Sequence, residues 1–314
     1  MNIREIRKKA YQQLHKPPKF SSLKFKSVEN TYLLKTFDIY GRVYQDFLKY
    51  KYLIGMLYLA PSTSSKIPDV NLCKHAGDCI KFCFFTSSSK YQEARNIRTR
   101  WFIENKTNFM NSLILAIIKL LRLAKCNNLI PAVRLNGLSD VTWEDEFFIV
   151  DEEVQTVLKR YSGDLNQFYS LPEKFSLTTI FEVFNHVQFY DYTKYLPDER
   201  KIKKYQNYFL CYSYDKHMKN KVSSILKDKK NIAIIVMHKQ DILDSYEEDE
   251  NKPICLILDG DIYDNRFLDN KFNPDNEYGK IILLEADSKA KKERSTSNTI
   301  IEDYISLKKL LPNL

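Results

Sequence analysis

The chain has 314 residues, of which 44% are hydrophobic and 28% are charged. These are ordinary values for a globular protein, and they exclude wholesale disorder, a collagen-like repeat and a coiled coil. No apolar run reaches the roughly 18 residues of a membrane span, and the first residues lack the apolar core of a signal peptide, so we expect a soluble cytoplasmic protein with no membrane contact.

The net charge of +9 is concentrated at the N-terminus, where residues 1–27 hold eight Lys or Arg residues and a single acid, Glu5. We predict a basic N-terminal helical arm that contacts nucleic acid through its phosphates. The alternative is an amphipathic helix that docks on the body of the protein. Its apolar side would consist of Ile3, Ile6, Ala10 and Leu14.

After the arm, short apolar runs alternate with segments of helical periodicity. Strands are predicted at residues 31–38, 53–59, 129–135, 187–192, 208–212, 232–237, 254–258 and 280–284. Helices are predicted within 93–125, with a break near 105–107, and at 151–160 and 216–227, whereas the stretches 241–250 and 287–297 are predicted as solvated loops. The alternation predicts an α/β fold with mostly parallel strands, and the number of units favours a full or partial (β/α) barrel. Residues 28–314 are predicted to form one such domain.

Polar side chains follow several of the predicted strands. Ligand-binding residues gather at strand ends in parallel α/β sheets, and several charges in such places favour a shared polar site. The alternative is a set of structural ion pairs at a barrel rim. The predicted catalytic residues are Arg134, Asn136, Asp140, Asp191 and Lys194, and the predicted cofactor-binding residues are Ser213, Asp259, Asp261 and Arg266.

Three of the six cysteines, Cys73, Cys79 and Cys83, fall within eleven residues after a predicted strand. Three thiolates suit a [4Fe–4S] cluster whose fourth iron chelates S-adenosylmethionine, as in the radical S-adenosylmethionine (radical SAM) enzymes, although the commonest spacing there is C-x3-C-x2-C. The first alternative is a structural zinc ion with His75 as the fourth ligand. The second is a set of cysteines that bind no metal.

Motifs of other chemistries are absent. The sequence contains no G-x-G-x-x-G, no G-x-x-x-x-G-K, no H-E-x-x-H and no G-x-S-x-G. Dinucleotide-binding, Walker-type and common zinc-protease or serine-hydrolase fingerprints are therefore missing.

The order of several segments resembles the gene product 88 family of phage proteins. The matching segments after the cysteines are RNIRTRWFIENKTNF (95–109), PAVRLNGLSD (131–140), VQFYDYTK (187–194), NYFLCYS (207–213) and DGDIYDNRFLD (259–269). The resemblance covers about residues 50–290. It implies that the clustered cysteines and the strand-end polar residues belong to one site.

These observations together predict an iron–sulfur enzyme, radical SAM-like in architecture, that acts on a nucleotide or nucleic-acid substrate in the host cytoplasm during infection, with a small-molecule cosubstrate. The alternative from another class is a non-enzymatic nucleic-acid-binding phage protein in which zinc stabilises the fold and the arm makes the contact.

Overall fold

A computed structural model describes the protein at residues 34–36, 52–61, 70–83, 89–173, 176–262, 264–272, 274, 277–292 and 299–311. The predicted arm, residues 1–27, lies outside the described residues.

All eight predicted strands are confirmed by strands that overlap them. The strands within the described residues are β1 (Leu34–Thr36), β2 (Tyr52–Leu57), β3 (Ile130–Arg134), β4 (Phe148–Ile149), β5 (Leu177–Thr178), β6 (Gln188–Thr193), β7 (Tyr208–Ser213), β8 (Ile232–Val236), β9 (Ile257–Asp259), β10 (Ile281–Glu285) and β11 (Ile300–Ile301).

Helices separate most of these strands. The α-helices are α1 (Ser89–Glu104), α2 (Lys106–Cys126), α3 (Glu152–Leu165), α4 (Ile180–Val183), α5 (Val222–Lys227), α6 (Lys239–Glu248), α7 (Leu268–Phe272), α8 (Ser288–Lys292) and α9 (Tyr304–Lys308). Short 3-10 helices cover Gly77–Phe82, Trp143–Asp145, Pro197–Glu199, Ile202–Lys204 and Lys216–Lys221. None of the helices in the described ranges is both long and apolar enough to cross a bilayer.

The strands form one mostly parallel sheet in the order β1-β2-β3-β6-β7-β8-β10-β9, with β11 paired to β8, and β4 and β5 form a separate ribbon. The pairs β2–β3, β3–β6, β7–β8, β8–β10 and β10–β9 are parallel, and β1–β2, at one edge, is antiparallel. The α/β class and the mostly parallel strands are therefore confirmed. Among the described residues no pairing joins β1 to β9, so no closed barrel is shown, and the full or partial barrel stays a prediction. At the two edges of the sheet, β1 pairs antiparallel with β2, and β9 pairs with β10.

Two sequence predictions about local structure have opposite outcomes. The helix break predicted near 105–107 is confirmed at Asn105, whose side chain accepts a hydrogen bond from the backbone of Asn108 and caps α2. The solvated loop predicted at 241–250 is wrong, because most of it belongs to α6. Ile242 and Tyr246, four residues apart, are buried there, so one apolar face stabilises a helix that is otherwise acidic.

The chain divides into two compact units. The first comprises Met1–Leu72, Ser89–Phe189 and Lys201–Tyr208, and the second comprises Cys73–Ser88, Tyr190–Arg200 and Phe209–Leu314. This division concerns compactness, and the single domain over residues 28–314 stays a prediction.

Each unit has its own apolar core. In the first unit, α2 buries residues at helical spacing, among them Phe109, Leu113 and Ile117, and α2 contacts β2 and β3. In the second unit, Cys211, Ala233 and Ile282 from three neighbouring strands form one buried cluster. Several polar residues follow the ends of the buried strands, which positions the candidate site.

Candidate functional site

The loop that carries the three clustered cysteines, residues 73–83 (the cysteine loop), is anchored in the second unit at two points. Gly77 has a φ of 50°, and a β-carbon there would lie 2.8 Å from Oδ2 of Asp215, so only glycine fits this turn without strain. Farther along, Phe82 is buried with Met237 and Ile300, and Cys79 packs against that cluster. The loop is therefore held against residues that follow β7 and β8.

His75, in the middle of the cysteine loop, forms a pair with Glu199. Its Nε2 atom lies 3.2 Å from Oε1 of Glu199, and the two residues are 124 positions apart in the sequence. A carboxylate only accepts hydrogen bonds, so Nε2 carries a proton, and the neutral form of the ring has its lone pair on Nδ1. Among the described residues, no polar group is hydrogen-bonded to that Nδ1 atom.

The carboxyl group of Glu199 is suited to this role. Partial burial alone would raise its pKa, but the backbone N–H of Leu196 and the His75 imidazole lower it, and the net result is a pKa below the usual value. Glu199 is therefore ionised near neutral pH and available as an acceptor for His75.

Two aromatic rings fix the orientation of His75. The imidazole stacks on that of His217, with centroids 5.4 Å apart and planes inclined by 24°. Tyr195 meets the same ring edge-on, with centroids 4.7 Å apart. With Glu199 at Nε2, these contacts leave the His75 ring little freedom to rotate.

His217 is itself fastened to the ends of two strands. Its Nε2 atom is 2.8 Å from the backbone oxygen of Lys194, which follows β6, and because that oxygen accepts, Nε2 is the donor. Its Nδ1 atom is 3.7 Å from Oδ1 of Asp215, which follows β7. These contacts hold the His217 ring in place, and the His75 ring stacks on it.

Asp215 and Lys194 form a largely buried ion pair next to His217. The Lys194 ammonium lies 3.6 Å from Oδ2 of Asp215, and the two side chains are only 10% and 11% exposed. Lys194 also donates to the backbone oxygen of Tyr214, and Thr299 donates to Oδ2 of Asp215 at 3.2 Å. Since each charge has a partner, burial is tolerated and the geometry is fixed.

We call this group the histidine site (His75, Lys194, Glu199, Asp215 and His217), and further cations lie beside it. Besides Lys194, the cations Lys74 and Arg200 lie over the Tyr195 ring, at 5.8 and 5.7 Å from its centroid. Arg200 is buried and donates to Thr193 at 2.8 Å. The Lys74 ammonium also lies 3.9 Å from Oε1 of Glu199, so cations and carboxylates are close together at this site.

The segments that build the histidine site and the sheet belong to one known family. A model of the family described as Gene product 88 matches residues 42–300, which is most of the sequence. The chain belongs to the phage gene product 88 family. Neither the curated proteins nor the solved structures contain a match.

The family motif PAVRLNGLSD lies in the first unit of this gene product 88 protein, and there the structure explains Asn136. Its side-chain oxygen accepts from the hydroxyl of Ser139, the indole of Trp143 and the backbone of Val141, and its amide donates to the Val141 oxygen. Asn136 therefore closes a turn.

The remaining predicted residues of the first unit lie near that turn. Asp140 is buried and its backbone N–H donates to the oxygen of Leu72. Arg134, at the end of β3, is half-buried. Whether these residues share a site with those of the second unit stays a prediction.

Asp259 and Asp261 pair with Lys239 near the ends of β9 and β10. The Lys239 ammonium lies 2.6 Å from Asp259 and 2.7 Å from Asp261, and Asp261 also accepts from the backbone of Glu285. Partial burial lowers the pKa of Lys239, but the two carboxylates outweigh it and raise the pKa above its usual value. The cofactor-binding role of these two residues stays a prediction, as does the alternative of structural ion pairs.

The other predicted residues of the second unit are placed as follows. Arg266 is fully buried, 3.8 Å from Asp269, and Asp191 is fully buried on β6. Ser213 ends β7 and is half-buried. Of the predicted set, only Lys194 belongs to the histidine site.

The three thiols of the cysteine loop are partly exposed, and none of the six cysteines, all in described segments, forms a disulfide. Across the described residues, no group of three or more His, Cys, Asp or Glu side chains stands close enough to hold a metal ion. The iron–sulfur cluster and the Cys3His zinc site stay predictions, and the chemistry of the histidine site is derived from its own side chains.

Sequence reasoning missed Glu199 and His217. Glu199 sits in a short 3-10 helix behind Pro197, where it also accepts from the backbone of Leu196, so its sequence context is that of a helix cap. His217 follows Asp215 by two residues at the end of β7, which is the one signal that strand-end logic could have used.

Proposed function

We propose that this gene product 88 protein is an enzyme in which His75 acts as a general base toward a nucleotide or nucleic-acid substrate. The observation that carries the proposal is the His75–Glu199 pair, in which a carboxylate holds Nε2 and leaves the lone pair on Nδ1. This is the arrangement by which a carboxylate selects the basic tautomer of a histidine.

The role of each residue follows from its contacts. Nδ1 of His75 takes a proton from the reacting group, and Glu199 stabilises the imidazolium that results. His217 and Tyr195 hold the ring, and the Lys194–Asp215 pair holds His217. Glu199 and His217 are therefore positioning residues, and His75 is the catalytic one.

The charge of the site supports an anionic substrate. Lys74, Lys194 and Arg200 lie at the site, and each can contact an anionic group of a substrate. Phosphate groups are the anions that a nucleotide or nucleic acid offers to Lys and Arg. A phage context agrees with that substrate class.

The test is turnover of a defined panel of probes: labelled single-stranded DNA and RNA oligonucleotides and the four ribonucleoside triphosphates, with products identified by mass spectrometry. We expect His75→Gln to lower the rate by about 10²- to 10⁴-fold, the usual contribution of a general base. Glu199→Gln should lower kcat by a smaller factor and shift the pH–rate profile, because the amide cannot stabilise the imidazolium.

His186→Gln is the matched control, because His186 is exposed and is not part of the histidine site. It should leave turnover unchanged. Absence of turnover of every probe by the wild-type protein, or equal losses in His75→Gln and His186→Gln, would contradict the proposal.

A metal-binding role for the cysteine loop is the second candidate, favoured by three partly exposed thiols on the loop that carries His75. Cys73, Cys79 and Cys83 would hold an iron–sulfur cluster after rearrangement of their side chains, or zinc with His75. Iron and zinc are to be counted in protein purified without oxygen, with Cys73→Ala compared against the exposed Cys126→Ala. Iron lost only from Cys73→Ala supports a cluster that could bind S-adenosylmethionine, and zinc lost from both Cys73→Ala and His75→Ala supports the zinc site.

A further inference from the structure

The 3-10 helix Lys216–Lys221, which carries His217, presents three exposed lysines at positions 216, 219 and 221. Within the described part of the chain, none of their ammonium groups forms an ion pair with a carboxylate. Other lysines of the same unit do, such as Lys230 with Asp228 at 3.2 Å and Lys252 with Glu247 at 3.9 Å. The helix itself contains no acidic residue.

The position of these lysines is fixed by the core. Met218 is fully buried and anchors the helix, and Val222, just after it, is also fully buried. A 3-10 helix has three residues per turn, so Lys216 and Lys219 lie in one row along it. His217 stands between them in the sequence and touches His75.

We infer that this lysine row (Lys216 and Lys219, with Lys221 beyond) binds the phosphate backbone of a nucleic-acid strand next to the histidine site. The inference rests on the proposed function and narrows its substrate from nucleotides in general to a strand. Phosphates follow one another along a strand, so several cations in a row are matched by a polymer and not by one mononucleotide. A lysine ammonium group without a carboxylate partner breaks no ion pair when it binds phosphate.

The experiment measures binding of a fluorescein-labelled single-stranded DNA, and of the RNA of the same sequence, by anisotropy of the full-length protein. Salt is varied from about 50 to 200 mM, the range over which phosphate contacts are lost. The variant K216Q/K219Q removes two charges from the row. The matched control K230Q/K252Q removes two charges that are already paired. The basic residues 1–27 are present in all proteins and contribute equally.

We expect K216Q/K219Q to weaken binding on the order of tenfold and to reduce the slope of log K against log salt by about 1.4, since each contact to a single strand contributes about 0.7. The control should change the affinity by less than about twofold, as expected when a charge makes no phosphate contact. Equal weakening by the two double variants overturns the inference, and so does a wild-type protein that binds vesicles containing phosphatidylserine but neither oligonucleotide.

The outcome is separable from that of the proposed function. His186→Gln should keep the wild-type affinity for the oligonucleotides, because His186 belongs neither to the row nor to the histidine site. Binding that depends on Lys216 and Lys219, without turnover of any probe, would support the lysine row and contradict the general-base role of His75. Turnover that is unchanged in K216Q/K219Q would support the general base and contradict the lysine row.

Discussion

The turn around Asn136 in the first unit and the histidine site in the second contrast in how they use their polar atoms. Both contain polar residues that follow parallel strands, and both come from segments that match the family pattern. In the Asn136 turn, the side-chain amide makes four hydrogen bonds, to Ser139, Val141 and Trp143, and it is buried. In the histidine site, His75 uses one ring nitrogen on Glu199 and stays partly exposed.

This difference distinguishes a polar side chain that stabilises the fold from one that has an atom left to react. A buried side chain that uses both its amide oxygen and its amide nitrogen inside the turn stabilises the backbone. The His75 ring is oriented by Glu199 at Nε2, by the stacked His217 ring and by the edge-on Tyr195 ring. These contacts do not use its Nδ1 atom. Polar residues at strand ends therefore divide into two kinds, and substitutions in each region can break or sharpen that division.

The largest expected effect is the loss of stability in Asn136→Ala. The substitution removes four hydrogen bonds and leaves the Trp143 indole and the Val141 N–H without their acceptor, so the free energy of unfolding should fall by about 3 kcal/mol or more. Urea denaturation measures it. Asn127→Ala, at an exposed amide that donates to the Leu123 oxygen, should cost less than about 0.5 kcal/mol. Similar values for the two variants would mean that the Asn136 turn is not structural.

Gly77→Ala should have a middle-sized effect that reaches the histidine site. The left-handed φ costs about 1–2 kcal/mol for a residue with a β-carbon, and the 2.8 Å approach to Asp215 pushes the cysteine loop away. Both the free energy of unfolding and turnover should fall.

Gly163→Ala is the matched control for Gly77→Ala. Gly163 lies in α3, and no atom stands within 4 Å of the position that an alanine methyl group would take, so alanine should stabilise the protein by about 0.5–1 kcal/mol. If the two substitutions had effects of the same sign, the cysteine loop would not depend on the close approach of Gly77.

The smallest expected effect is a pH dependence of stability through Glu199. Its pKa in the folded protein is lowered, despite partial burial, by the Leu196 N–H and by His75. A lowered folded-state pKa adds stability above the ordinary range of a glutamate, and that stability is lost as the pH falls through the lowered pKa. Denaturation of the wild type and Glu199→Gln should therefore differ near neutral pH and converge in acid. The effect is small because the side chain is 32% exposed. A constant difference at all pH values would show that Glu199 acts by packing alone.

Local pattern was enough to predict most of the elements. The apolar runs at 129–135, 187–192 and 232–237 coincide with β3, β6 and β8, and polar Asn105 interrupts the apolar periodicity where α1 ends and α2 begins. The alternation of strands and helices was enough for the α/β class, because crossover connections require parallel strands. These features depend on residues within one or two turns of each other.

Strand order and the contents of the site were decided only by the tertiary structure. Whether the sheet closes depends on which strands pair at its edges, and the placement of β10 between β8 and β9 is invisible to periodicity. The pairing of His75 with Glu199 joins residues 124 positions apart, and the Gly77 contact with Asp215 joins two other distant segments. The sequence by itself determined eight of the described strands, the long helices α1, α2 and α3, and the family. Which polar side chains meet was decided by packing, because a side chain's partner depends on the arrangement of the elements and not on its neighbours in the chain.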